Sequence, residues 1–256
     1  MTNSNIVIPN TNYRKRFANL KFNSPELLNP FNHTLIFIDQ EGQMAFPIES
    51  TFKLEYRNNL ASLGYISRMY EIPVIISTIG EQHFAGPTLR ELRQFYPDAP
   101  VYDRSSVNFW EDDAAREAVI ATGSKKLVFT GLWTDVCVAF PVISALKAGY
   151  EVYFITDASA AITKESHEVA IQRMIQAGAI PLGTVGYCYE VIRDYGREDN
   201  RASDMADLRH EWFIKYTGIG IGVDYADYMV QGYPTYQGFG KAPAVKVKDA
   251  ANKVTG

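Results

Sequence analysis

Short apolar runs recur along the middle of the chain, separated by longer segments with a helical pattern. The first run, residues 34–39, is almost unbroken and ends in a carboxylate, Asp39. Such a run is typical of a strand that is buried on both faces, as in a parallel sheet. Similar runs predict strands at residues 73–78, 127–130, 151–157 and 180–185, and a short extended piece begins at residue 101.

Between these runs, apolar side chains recur at the three- and four-residue spacing of a helix. The first helical segment has Ser50 or Thr51 as its cap and extends to Met69. Further helices are predicted at residues 88–95, 112–121, 136–149, 163–177 and 203–213, with another helical stretch through 191. This alternation predicts an α/β fold, a three-layer sandwich with a mainly parallel, doubly wound sheet, helices on both faces and right-handed crossovers.

The pattern also divides the chain into a central domain and two extensions. Residues 1–31 predict an N-terminal arm, residues 32–195 a single α/β domain, and residues 196–256 a C-terminal extension. The extension is rich in Gly and Tyr, which is not the low hydrophobicity of a disordered segment. We therefore expect it to pack on the core or on a neighbouring subunit of a homo-oligomer.

Composition narrows the classes of function. The 256 residues are 46% hydrophobic and 21% charged, and the formal net charge is −4 without a block of Lys or Arg. Nucleic acids and membranes are therefore not expected partners, and no apolar run reaches the roughly 18 residues that span a bilayer. The polar N-terminus and the two cysteines, which form no disulfide framework, predict a reduced, cytoplasmic setting.

Three polar residues fall at the carboxyl ends of predicted strands, where doubly wound sheets form their sites. They are Asp39, Arg104 and Cys137. Cys137 stands in the first turn of a predicted helix, which should lower the pKa of its thiol and favour the nucleophilic thiolate. Each residue also has an ordinary explanation: a helix cap, a surface cation and a small buried side chain. Their combination is what suggests nucleophilic catalysis.

The segment 131–138, with the sequence GLWTDVCV, is followed by an Ala-containing helix and a strand that ends at Asp157. These residues and Asp39 resemble the isochorismatase-like cysteine hydrolases from about residue 32 to residue 194. Residues 97–100, 108–110, 173–174 and 176–179 are similar in particular to a bacterial branch of that family whose substrates are largely unassigned.

The resemblance implies a triad of Asp39, Arg104 and Cys137, in which Asp39 takes the thiol proton and Cys137 attacks a carbonyl or C=N carbon. It also implies an oxyanion hole of the backbone N–H groups of Trp133 and Cys137, and a cis bond before Trp133. Two positions depart from the family pattern. Arg104 replaces the usual Lys, and Glu41 stands where Gln is frequent, which we expect to favour a cationic or polar substrate or to face solvent.

The substrate-binding candidates are aromatic and polar residues near these positions. Walls of the pocket are expected from Phe84, Trp110 and Trp133, and further contacts from Glu81, Gln82, His83 and Asn108. No metal site and no cofactor are expected, because the four His residues are widely scattered. A papain-like pair of Cys137 and His83 is a weaker alternative.

We therefore predict a cysteine hydrolase that cleaves a non-peptide C–N bond, such as an amide, in a small molecule. One alternative is an oligomeric protein of the same fold with little or no hydrolytic activity, in which Cys137 is at most redox-sensitive. The other is a vinyl-ether hydrolase of the isochorismatase type, a reaction that does not use the cysteine as nucleophile.

Overall fold

Six parallel strands form one sheet in the computed structural model, which describes residues 8–216. The order across the sheet is β3-β2-β1-β4-β5-β6, and every neighbouring pair is parallel. The strands are β1 (His33–Ile38), β2 (Val74–Ile79), β3 (Val101–Arg104), β4 (Lys126–Gly131), β5 (Glu151–Ile155) and β6 (Ile180–Leu182). This topology confirms the predicted doubly wound sheet.

Ten α-helices connect and flank the strands in the described residues. They are α1 (Tyr13–Arg16), α2 (Gly42–Ala45), α3 (Lys53–Met69), α4 (Arg90–Arg93), α5 (Asp113–Ala121), α6 (Ala139–Lys147), α7 (Lys164–Ala177), α8 (Thr184–Ile192), α9 (Glu198–Arg201) and α10 (Ser203–Tyr216). Two wider, π-type turns at Glu81–Ala85 and Thr134–Val138 and a 3₁₀ turn at Phe109–Glu111 complete the elements.

The central strands are buried on both faces, as their apolar sequences predict. Every residue of β1 and of β4 is buried. On one face, Ile36 and Ile38 of β1 pack in a cluster with Ala115 of α5, Val142 of α6 and Met174 of α7. Helix α3 contributes no residue to this cluster and contacts α4 and α8 instead. The sheet is therefore covered on both sides, as in other doubly wound folds.

The described parts of both predicted extensions pack within the unit formed by residues 1–212. Tyr13 donates a hydrogen bond of 2.7 Å from its hydroxyl to Asp199, and Arg197 pairs with the same buried carboxylate. Tyr70 at the end of α3 donates one of 2.6 Å to Asn200. The second unit comprises residues 213–256, of which only the end of α10 is described. The predicted packing of the aromatic tail from residue 217 onward lies outside the described residues.

Candidate active site

Asp39 comes directly after β1, at the point where the strand order reverses. Its backbone lies in the left-handed region with φ +52°, and its N–H donates to the carbonyl of Ser77 on β2 at 2.9 Å. Asp is one of the few residues besides Gly that accept this conformation. The turn fixes the carboxylate at the carboxyl end of the sheet, beside the switch point where doubly wound folds bind ligands.

Arg104 is the last residue of β3 and reaches across β2 to Asp39. Its Nη2 lies 2.8 and 2.7 Å from the two carboxylate oxygens, and both side chains are fully buried. Nη1 donates to the carbonyl of Ser106, whereas Nε has no hydrogen-bond partner among the described residues. A guanidinium stays charged at any working pH, so Arg104 acts as a fixed cation for Asp39 and not as a proton carrier.

Cys137 follows β4, the strand next to β1, and lies in the π-type turn Thr134–Val138. The prediction that Cys137 opens a regular helix is wrong, because helix α6 begins only at Ala139. Pro141, four residues after Cys137, has no N–H to donate to the Cys137 carbonyl, which prevents a regular helical turn there. The Leu132–Trp133 peptide bond before this turn is cis.

The acid and the thiol form a hydrogen-bonded pair in a dry environment. Burial raises the pKa of Asp39 to about 6, although Arg104 and the thiol hydrogen bond act in the opposite direction. Burial and the negative charge of Asp39 raise the pKa of the Cys137 thiol to about 12. The expected low thiol pKa is therefore wrong, because loss of hydration outweighs the local dipoles. Near pH 7, Cys137 is therefore a thiol that contacts the Asp39 carboxyl group.

Gly131 allows this close approach of β1 and β4. A Cβ atom at this position would lie 2.3 Å from the carbonyl oxygen and 2.9 Å from the Cβ of Ile38. Ile38 precedes Asp39, and Gly131 opens the segment that carries Cys137. The missing side chain therefore keeps the acid and the thiol side by side.

The model of the isochorismatase domain matches residues 34–185, more than half of the chain. The chain belongs to the isochorismatase family. The probable hydrolase YcaC of Escherichia coli is 32% identical over 162 residues, which cover 63% of this chain and 78% of YcaC.

Two solved YcaC structures are similar to this isochorismatase-family chain. YcaC from Pseudomonas aeruginosa, with hexane-2,5-diol and covalent acrylamide, is 28% identical with a TM-score of 0.72, and covers 80% of this chain and 98% of its own. YcaC from E. coli is 27% identical with a TM-score of 0.73, and covers 79% and 97%. The latter structure is described as an octameric hydrolase of unknown specificity. Membership of this family makes the protein a hydrolase, like these relatives.

Two contacts hold the turn Thr134–Val138, which carries Cys137, in this isochorismatase-family protein. The indole N–H of Trp133 donates to the carbonyl of Met44 on α2 at 2.9 Å, and the hydroxyl of Thr134 lies 2.8 Å from Nδ1 of His167 on α7. Burial lowers the pKa of His167, so its ring is neutral near pH 7. The sequence does not single out His167 among the four histidines, because no local spacing links it to Thr134.

The other predicted substrate-binding residues separate into two groups. Those of the turn Glu81–Ala85 follow β2 and lie at the same sheet edge as Asp39; Gln82, His83 and Phe84 are exposed. Trp110 instead packs edge-on against Tyr150, which precedes β5 at the opposite edge of the sheet. Asn108 caps the 3₁₀ turn and donates to Ser144 on α6. The contacts of Trp110 and Asn108 are therefore with Tyr150 and Ser144 and not with the other predicted substrate-binding residues.

Glu41 is buried beside Asp39, so the second of the two alternatives given for it, that it faces solvent, is wrong. Its Oε2 accepts a hydrogen bond of 3.0 Å from the N–H of Ile79, which closes β2. A cavity of about 950 Å³ lies beside it, lined by residues 42–43, 85–90, 93–94 and 97. Asp39, Arg104 and Cys137 do not line this cavity. The candidate active site is therefore assigned to Asp39, Arg104 and Cys137 and not to this cavity.

Residues 8–216 contain no group of three or more His, Cys, Asp or Glu side chains that could hold a metal ion. Within the same residues, no helix is long and apolar enough to cross a membrane.

Proposed function

We propose that this protein is a cysteine hydrolase that cleaves a non-peptide C–N bond of a small molecule through an acyl-enzyme on Cys137. The observation that carries the proposal is the buried chain of contacts from Arg104 to Asp39 and from Asp39 to the Cys137 thiol. A nucleophile in contact with a base that is itself oriented by a third group is the arrangement that activates a weak nucleophile.

The chemistry follows from the protonation states. Asp39 accepts the thiol proton while Sγ forms a bond to the carbonyl carbon, so no free thiolate has to exist beforehand. In the proposal, the backbone N–H groups of Trp133 and Cys137 stabilise the oxyanion. Asp39 then returns the proton to the leaving amine as the C–N bond breaks. Water, deprotonated by Asp39, finally releases the acid and regenerates the thiol.

The P. aeruginosa relative supports a site for small molecules that contains a reactive side chain. That YcaC structure contains covalent acrylamide, a small electrophile that reacts with nucleophiles through its C=C bond. A similar site in this protein would admit molecules of that size and polarity to Cys137.

The test is hydrolysis of a panel of small amides, measured as ammonia release, by wild type, Cys137→Ala and Cys188→Ala. Cys188 is the matched control, because it is also buried but contacts Ser62 and not the triad. We expect Cys137→Ala to lose activity at least about a thousandfold, as when a nucleophile is removed from a triad. Cys188→Ala should keep the activity. Ammonia release that survives in Cys137→Ala would refute the acyl-enzyme and indicate direct attack of water on the amide.

The proposed base predicts an acid limb in the pH profile. Asp39 with a pKa of about 6 is ionised above that pH and can accept the thiol proton. As the pH falls through 6, Asp39 becomes protonated and the rate of Cys137 alkylation by iodoacetamide should fall about tenfold per pH unit. The limb should be absent in Asp39→Asn, whose rate should be uniformly low. An identical limb in that variant would exclude Asp39 as the base.

We also propose that the protein acts as a homo-oligomer in the cytoplasm. E. coli YcaC is octameric, and three large apolar side chains are strongly exposed near α2 and α3 in this chain: Phe46, Phe52 and Leu54. Exposed apolar groups that lie together favour a subunit contact. Light scattering should give a multiple of 28.8 kDa, and Phe52→Asp should reduce that mass. A monomeric wild type would contradict the proposal.

A further inference from the structure

Glu41 is attached to the candidate site by its backbone and by one side-chain oxygen. Its N–H donates to the carbonyl of Asp39 at 2.8 Å, and a single bridge pairs it with Thr88. Oε2 accepts the hydrogen bond from Ile79. The other oxygen, Oε1, is fully buried and has no hydrogen-bond partner among the described residues. One oxygen therefore makes the structural contact, and the second is left without a hydrogen bond among the described residues.

Capping of helix α2 does not explain the side chain of Glu41. Glu41 precedes α2, but its side chain makes no cap hydrogen bond there. A buried polar atom without a partner costs free energy, so its retention beside a reactive pair requires an explanation. A hydrogen bond to a bound substrate supplies one.

The charged groups around Glu41 determine whether its carboxyl group is neutral or ionised. The charged groups that face it are Asp39 behind β1, and Asp103 and Arg104 on β3. The only cation among these, Arg104, is already bonded to Asp39 and to Ser106. Burial, with the two carboxylates, raises the pKa of Glu41 to about 8. The carboxyl is then neutral near pH 7, and its proton is on Oε1 because Oε2 faces the Ile79 N–H.

We propose that Glu41, within the hydrolase function proposed above, binds the substrate as a neutral carboxylic acid and donates a hydrogen bond from Oε1 to an acceptor atom next to the reacting carbonyl. The site then selects small, uncharged molecules that carry a second hydrogen-bond acceptor. This assignment makes Glu41 a specificity-determining residue in addition to the triad.

The test measures how Cys137 responds to the charge of a reagent. Three methanethiosulfonates share one reactive group and carry a neutral methyl, a cationic trimethylammonioethyl or an anionic sulfonatoethyl substituent. Their rates with Cys137 are compared at pH 7 and pH 9, with Cys137→Ser as the background for Cys188. Ionisation of the thiol changes all three rates by the same factor. The ratio of the cationic to the anionic reagent's rate therefore reports only the charge near Cys137.

In wild type this ratio should rise at least about tenfold from pH 7 to pH 9, because Glu41 acquires a charge beside Asp39, which itself contacts the thiol. In Glu41→Gln, which keeps one donor and one acceptor at both pH values, the ratio should change less than about twofold. Glu49→Gln removes the same charge from an exposed position of the same segment and should behave as wild type. Glu41→Met, also without an ionisable group, should repeat the flat ratio.

Three results would overturn the proposal. A ratio that already favours the cation at pH 7 and loses this preference in Glu41→Gln would show a permanently ionised carboxylate that binds cations. A ratio that rises equally in wild type and Glu41→Gln would remove Glu41 from the site. Modification of the thiol requires no substrate turnover. The test of Glu41 is therefore valid even if no amide of the panel is hydrolysed. A Cys137 that none of the reagents modifies would overturn both proposals.

Discussion

Arg104→Met is expected to reduce the free energy of unfolding by about 3–5 kcal/mol and to abolish hydrolysis. The substitution leaves the carboxylate of Asp39 fully buried without the cation that contacts both of its oxygens. Asp39 would then take up a proton to become neutral, and a protonated Asp39 cannot accept the proton of Cys137. Urea unfolding and the amide panel measure the two effects.

The control for Arg104→Met is Arg57→Met, which breaks an ion pair at the surface. Arg57 pairs with Glu91, but more than half of the Arg57 side chain is exposed. Such pairs contribute at most about 1 kcal/mol. Arg104→Lys keeps the charge and should recover part of the activity. Equal stability of the Arg104→Met and Arg57→Met variants would contradict a structural role for the buried pair.

Gly131→Ala is expected to cost about 3 kcal/mol or more of stability, at the upper end of the range for overpacked cores. The new Cβ would stand 2.3 Å from the carbonyl oxygen of Ile38, and a backbone atom of a central strand cannot move aside as a flexible side chain does. Separation of β1 from β4 would also displace Asp39 from Cys137. We therefore expect slower alkylation of Cys137 by iodoacetamide in this variant, together with the loss of stability.

Gly186→Ala is the matched control for that substitution. Gly186 lies inside α8, and a Cβ there would meet nothing within 4 Å. Because Ala has the higher helix propensity, we expect unchanged or slightly raised stability, by up to about 1 kcal/mol. If thermal unfolding of Gly131→Ala occurs at the same temperature as that of Gly186→Ala, the contact between β1 and β4 is looser than described.

The fold could be predicted from the sequence because the central strands carry their own signal. The runs that became β1 and β4 are nearly all apolar, as strands covered on both faces must be. The edge strand β3 had a weaker signal, because only one of its four residues is buried. The turn at Cys137 was mispredicted, since apolar periodicity does not distinguish a π-type turn from the first turn of a helix.

The candidate site was predictable only in part, because its residues meet through the topology. Asp39, Arg104 and Cys137 could be chosen by their positions at strand ends, and the structure brings them together. Trp110 could not be placed, because the short turn that carries it can direct a side chain to either end of the sheet. The pKa of the Cys137 thiol depends on burial, which no local pattern reveals.

The left-handed backbone of Asp39 restricts which residues evolution can try at this position. With φ at +52°, Gly, Asn and Asp are the residues that accept this backbone with the least strain. Of these three, only Asp carries a group that can take up a proton. Replacement of Asp39 by a longer ionisable residue would therefore strain the turn in addition to moving the ionisable group.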